Sequence, residues 1–203
     1  MSRFEVFDKS VFDVNDTLKR CSWANGSFEM KRYHDFEWNK LVFDDFRFFE
    51  FFCLEIFQAG LNWELVIKKR KFFNVAFDNF DFFKVRLYDD FKINSLLEDE
   101  NIVRNKVKIK SCIFNAQKFF EIRKKYEGSV CFEKFNSSFF CWLKEQINIL
   151  GFDSFDSVPL DVYVSLFKKN FKFVGFEIAR EFLESSGILS KEHDKDCFMY
   201  KKS

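Results

Sequence analysis

Proline and glycine are the first things missing from this 203-residue chain, which holds one Pro (Pro159) and six Gly. That is too few turn residues for a many-stranded β-protein, which needs them between successive strands. Histidine is as scarce, at two, so any imidazole chemistry must use His34 or His193. No apolar run reaches the ~18 residues of a membrane-crossing helix, so no membrane association is expected. The opening residues, Met1-Ser2-Arg3-Phe4-Glu5-Val6-Phe7-Asp8, place acids where a secretory signal needs an apolar core. The expected location is therefore the cytoplasm or the nucleoid. In that compartment the six scattered cysteines (21, 53, 112, 131, 141, 197) read as reduced thiols. A charge excess is missing too. Lys+Arg 33 against Asp+Glu 32 leaves +1, which excludes a uniformly basic nucleic-acid coat and leaves only local basic clusters.

What is abundant is phenylalanine. Its 34 copies, beside many Lys and Asn, look like the product of AT-rich coding, so Phe by itself is a poor guide to function. The periodicity is helical almost throughout. Phe49, Phe52, Cys53 and Ile56 recur at i, i+3, i+4, i+7 over residues 45–58, with Asp44 and Asp45 ahead of them and Gly60 behind. Asn62 can cap a second helix to about Phe73, Asp81 opens a third, and Phe91–Glu98 makes a fourth. After the break at Asp99–Arg104 comes the strongest pattern, Val107 to Arg123, closed by Gly128. Phe132, Phe135, Phe139 and Trp142 form another face, and helical spacing returns at 161–169 and 176–186 before Gly187. These features predict an all-α protein of one domain, residues 20–203, behind an N-terminal extension, residues 1–19. Nothing demands more than a monomer.

Three constellations carry chemistry. Cys21 lies 13 residues before His34, and Cys197 four after His193. Together they offer two thiolates and two imidazoles for a closed tetrahedral zinc site, which would be structural because no position is left for water. The alternative is two surface histidines and two buried thiols. The stretch Leu54-Glu55-Ile56-Phe57-Gln58-Ala59-Gly60-Leu61-Asn62-Trp63 embeds one carboxyl in apolar residues. Either Glu55 points to solvent with Trp63 in the core, or the acid and the ring face one cavity. Finally, Arg104, Lys106 and Lys108 flank a short turn that opens a helix, an arrangement suited to a phosphate. Lys68-Lys69-Arg70-Lys71 forms a similar basic cluster.

Taken in order, these pieces match one pattern: Arg20-Cys21-Ser22-Trp23, Tyr33-His34-Asp35-Phe36-Glu37-Trp38, Leu54-Glu55 through Trp63, and Ile102-Val103-Arg104-Asn105-Lys106-Val107-Lys108-Ile109. Phe171-Lys172-Phe173-Val174-Gly175 and Gly187-Ile188 with His193 and Cys197 complete it. Over roughly residues 20–200 the chain resembles the DNA-3-methyladenine glycosylase I family of the helix-hairpin-helix superfamily. The resemblance implies a helix-hairpin-helix DNA glycosylase fold whose structural zinc, on Cys21, His34, His193 and Cys197, joins the N- and C-terminal segments. It assigns base recognition and catalysis to Glu55, with Trp63 stacking, Tyr33 hydrogen bonding, and Trp23 and Trp38 in the pocket region. Leu61 would be the wedge entering the DNA, and the hairpin residues Asn101, Arg104, Lys106 and Lys108 would hold a phosphate.

The implied partner is double-stranded DNA with alkylated bases, and the implied reaction is hydrolytic release of 3-methyladenine without lyase activity. Two rival classes are a zinc-stapled DNA-binding module without catalysis and a zinc hydrolase. The chain departs from the family pattern at Ile56 and Asn62, which stand for Gly and Ser. It departs again at Asn101, which stands for a hairpin Gly and would have to accept the left-handed region, and at Phe176-Glu177 after Gly175.

Overall fold

The structure, a computed structural model, describes residues 15–129 and 137–200. Among these there is no strand. A 3-10 turn at Ser22–Ala24 leads to α1 (Phe28–Phe36), α2 (Asp45–Gln58) and α3 (Trp63–Ala76). A second 3-10 turn (Asp78–Phe80) precedes α4 (Phe82–Val85), α5 (Asp90–Glu98), α6 (Lys106–Tyr126), α7 (Ser138–Ile149), α8 (Leu160–Asn170) and α9 (Phe176–Ser185). The helices start where the sequence says they should. Asp44, Asn62, Asp81, Asp89, Asn105 and Ser137 each turn a side-chain oxygen back onto a first-turn N–H, satisfying donors that the helix itself cannot. Phe132 and Phe135, part of the face expected ahead of α7, lie outside the described residues, as do residues 1–14 of the expected extension.

Helix α2 is the axis of the molecule. It packs against α3, α6, α7 and α9, and a helix so enclosed is apolar on all sides. Its phenylalanines meet rings from each neighbour: Phe48 with Phe139 at 4.9 Å, Phe49 with Phe119 at 5.2 Å, Phe52 with Phe182 at 4.9 Å, and Phe57 with Phe73 at 4.5 Å. Each fully buried ring contributes about 1.5–3 kcal/mol by leaving water. The phenylalanine load is thus used as core.

Two polar connections fix where α2 begins and where α9 ends. Asp45 accepts hydrogen bonds from Ser137 Oγ (2.7 Å), Ser138 N (3.1 Å), Phe139 N (2.9 Å) and Arg123 (3.0 Å), joining α2 to α6 and α7. Asn39 donates to the carbonyls of Glu184 (3.2 Å) and Leu189 (3.1 Å), and Val42 N donates to Ser186 O (3.0 Å), so the α1–α2 loop holds the end of α9. Cys141 is disulfide-bonded, which corrects the reading of six reduced thiols. Cys21, Cys53, Cys112 and Cys197 are free. Among the described residues no helix is long and apolar enough to cross a membrane.

Gly187 ends α9 at φ +72°, and a Cβ there would lie 2.4 Å from Leu41 N and 2.5 Å from Lys40 C. Both obstacles are backbone and cannot swing aside. Gly187→Ala is expected to lower stability by roughly 2–4 kcal/mol, from left-handed strain and forced displacement of the loop, read as a shift in the urea midpoint.

Candidate active site and metal cluster

A cavity of about 440 Å³ opens between α1, the end of α2, the start of α3, α9 and the C-terminal segment. Tyr33 comes from α1, Glu55 and Gln58 from α2, Trp63 from the first position of α3, and Trp23 and Trp38 from the segments flanking α1. Trp63 meets Tyr33 edge-on at 5.4 Å, and Trp23 meets Trp38 at 5.0 Å. Tyr33 and Trp38 are buried, while Trp23 and Trp63 are partly open. Glu55 is 3% exposed. Of the two readings left open for Glu55 and Trp63, the fold selects the shared cavity.

The electrostatics follow from position. Burial pushes the Glu55 carboxyl up to about 8, and Glu181 and Glu184 push the same way against the Ser185 hydroxyl. Burial, then Glu55 and Glu37, hold the Tyr33 phenol well above its ordinary range, so it stays a neutral donor. Two other carboxylates of α2 are treated differently. Asp45 has Arg123 at 3.0 Å. Glu50 has Arg70 at 2.7 Å and Arg47 within 2.5 Å; burial raises it, but Arg70 and Arg47 outweigh burial and draw it to about 2. Glu55 alone of the three has no cation. A flat cation entering between the rings would supply one, with aromatic faces and a carboxyl to receive it.

Cys21, His34, His193 and Cys197 converge, their ligand atoms all within 4.8 Å of one another. His193 Nδ1 lies 3.3 Å from His34 Nε2, 3.4 Å from Cys21 Sγ and 3.6 Å from Cys197 Sγ, and Cys197 Sγ lies 3.4 Å from His34 Nε2. A tetrahedral ion with bonds of about 2.0–2.1 Å to nitrogen and 2.3 Å to sulfur spaces its ligands by roughly 3.3–3.8 Å, so the four residues fit one. The outer partners suit it as well. His34 Nδ1 is 2.9 Å from Asp35 Oδ1, and Arg20 grips Asp35 at 2.6–3.1 Å, which leaves Nε2 facing the cluster. Burial raises the Cys21 thiol to about 11 and lowers both imidazoles, so an ion would enter by displacing thiol protons. Trp38 stacks on His34 at 6.2 Å and meets His193 at 5.0 Å. The cluster therefore backs one wall of the cavity.

The residues expected to meet DNA divide. Leu61 is 39% exposed beyond Gly60, which turns the chain at φ +77°. Asn101, Arg104 and Lys106 are open on the α5–α6 hairpin. Asn101 has ordinary backbone geometry, so the left-handed conformation expected of it is not used; its N–H and side chain bond to Asp99 Oδ1 instead. Lys108 is a correction. It is 5% exposed, and its ammonium donates to the carbonyls of Phe57 (2.9 Å) and Ala59 (2.6 Å). Four residues past the hairpin's Arg104, on the first turn of α6, its side chain is turned inward to the unpaired carbonyls at the end of α2, so its charge is unavailable to a phosphate. It ties the hairpin helix to the Leu61 turn.

Phe176 and Glu177 do not line the cavity; α9 contributes Glu181 and Ser185, one and two turns on. These two, with Gln58, Glu64 and Lys191, were not anticipated. Gln58 could have been found, being one helical turn from Glu55. The α9 pair could not, because nothing local says that this face of α9 meets α2.

A family profile described as methyladenine glycosylase matches residues 23–200. DNA-3-methyladenine glycosylase 1 of Escherichia coli is 30% identical over 189 residues, covering 90% of this chain and 97% of that protein. The Haemophilus influenzae DNA-3-methyladenine glycosylase is 30% identical over 88% and 96% of the two chains. A crystal structure of 3-methyladenine DNA glycosylase I superposes with a TM-score of 0.72 at 28% identity, covering 90% of this chain and all of that one. Another, a variant in complex with 3-methyladenine, gives 0.71 at 25% identity, covering 90% of this chain and 98% of that one.

The elevated Glu55 fixes a sign. Between about pH 4.5 and about 8 the unfolded chain has lost a proton that the folded protein keeps. The group's contribution is most favourable below 4.5, falls as pH rises and is gone above 8, a loss of roughly 3–5 kcal/mol. Urea unfolding at stepped pH should show Glu55→Gln matching the parent near pH 4.5 and exceeding it above pH 8.

Proposed function

The chain belongs to the methyladenine glycosylase family, and from that premise we propose that it hydrolyses the N-glycosidic bond of 3-methyladenine in alkylated duplex DNA. Residues 20–203 act as one monomeric domain, in base-excision repair in the cytoplasm and on the nucleoid. The observation that carries this reading is the unmatched Glu55 carboxyl beneath Tyr33 and Trp63, in a helix whose other buried carboxylates are matched.

Methylation at N3 gives the nucleoside a positive charge and makes the base a ready leaving group. The protein's task is then to extract, hold and position. Extraction costs a few kcal/mol, less at a weakly paired lesion. Leu61 enters the gap, while backbone N–H groups of the Asn101–Arg104 hairpin, with Arg104 and Lys106 beside them, hold a phosphate. Trp63 stacks on the cationic ring, worth about 2 kcal/mol when desolvated. Glu55 gives up its proton as the cation arrives and accepts from the N6 amino group, and Tyr33 donates from the other side. Trp23 and Trp38 close the wall. No lysine is needed at C1′, so the enzyme is monofunctional and leaves the strand intact.

Cys21, His34, His193 and Cys197 hold one zinc. When bound, it supplies a crosslink between the N- and C-terminal segments, and with all four positions taken by protein it has no place for water. Such sites contribute roughly 10 kcal/mol to holding their segments together.

Two measurements test these statements. Incubation with alkylated duplex DNA should release 3-methyladenine without strand cleavage, and Glu55→Ala should slow release on the order of 100-fold; a folded protein that binds DNA and releases no base would leave only a binding module. Metal analysis should find one zinc per chain, lost in Cys197→Ser together with a fall in Tm. Exchange for cobalt should leave turnover unchanged, whereas a change would argue for a zinc hydrolase.

A further inference from the structure

The cavity holds a second carboxyl at a different depth. Glu55 lies at the closed end, 3% exposed. Glu181, one helical turn before Ser185 on α9, lines the same cavity with 34% of its side chain open. Its Oε1 accepts from Arg180 at 2.8 Å, and among the described residues Oε2 has no hydrogen-bond donor. The remaining carboxyl of the lining, Glu64, is committed to Lys68 at 2.8 Å. Lys191 at the same edge is paired with Glu184 at 2.5 Å.

Depth sorts the two acids by task. A flipped nucleotide enters base first, because its sugar stays joined to a backbone that remains on the protein surface. Its amino edge reaches the closed end, and C1′ stays toward the mouth. Glu55, on the far side of the ring, cannot approach a water attacking C1′. Glu181 stands in the wall nearer the mouth, where that water must come from.

We propose that Glu181 is the general base of the reaction, a step that rests on the glycosylase reading above. The C1′–N9 bond breaks with its electron pair passing to the base, which leaves as neutral 3-methyladenine, and the positive charge moves to C1′ and O4′ of the sugar. The carboxylate of Glu181 faces that charge. Water oxygen bonds to C1′ as one of its protons passes to Glu181, leaving a hydroxyl at C1′ of an abasic site, and Glu181 returns the proton to solvent. One carboxyl thus reads the base and the other serves the sugar, a division familiar from glycoside hydrolysis.

The test is single-turnover release of 3-methyladenine from alkylated duplex DNA by the full chain at saturating enzyme, comparing wild type with Glu181→Gln. Binding of free 3-methyladenine and Tm are measured alongside. The expected result is a rate reduced on the order of 100-fold or more, with 3-methyladenine binding and Tm unchanged. A wild-type rate in the variant overturns the proposal while leaving the glycosylase reading intact. So does a loss confined to binding, which would make Glu181 a selector for the cation. Absence of release by the wild type takes down both.

Discussion

A helix buried on every side must find a partner for each charge it carries, and α2 carries three carboxyls among its apolar residues. The rest of the molecule is arranged around how they are met. Asp45 is answered by Arg123 and the start of α7, which sets α2 against α6 and α7. Glu50 is answered by Arg70 and Arg47, and Glu37 of the segment after α1 completes that network at 2.6 and 2.7 Å, so α1, α2 and α3 meet through it. Glu55 is answered by no cation, only by the Ser185 hydroxyl and the cavity. Without a cation its charged form is costly at that depth, and burial pushes the carboxyl up to about 8.

The far end of α2 is held as firmly as the near end. Lys108 fastens its last carbonyls to the first turn of α6, and Asn62 caps α3 immediately beyond the Leu61 turn. The exposed hairpin, the protruding leucine and the buried acid are therefore parts of one rigid connection. Lys69 adds a second tie, donating to the carbonyls of Glu100 (3.1 Å) and Asn101 (2.9 Å) across from α3. A phosphate held at the hairpin and a base held over Glu55 would be placed relative to each other by packing, without a hinge between them.

The Cys/His cluster enters the same scheme through its aromatic neighbours. Trp38 lies against both imidazoles and also lines the cavity, and Trp23 packs between Tyr33, His34 and Trp38. The cluster thus lies directly behind the pocket wall. That explains how a site built from residues 172 positions apart in the chain, Cys21 and His193, bears on a cavity whose central acid belongs to neither segment.

By itself the sequence determined the helices and their caps, because Asp, Asn and Ser at the starts and glycine at the stops act within one turn of chain. It also marked the four cluster residues as candidates, through two Cys–His spacings that take up both histidines, and the Glu55–Trp63 stretch, whose lone acid in an apolar run is conspicuous locally. What only the tertiary structure decided was which of several plausible polar groups face each other. Lys108 looked like a phosphate ligand and is a helix-end tie. Phe176-Glu177 marked a departure from the family pattern, and it is Glu181 of the same helix that lines the cavity. Asn101 looked like a substitute for glycine and needs no unusual backbone. For Lys108 and Glu181 the deciding quantity is the direction a side chain takes once two helices have packed, and no interaction within a single helix turn carries that information.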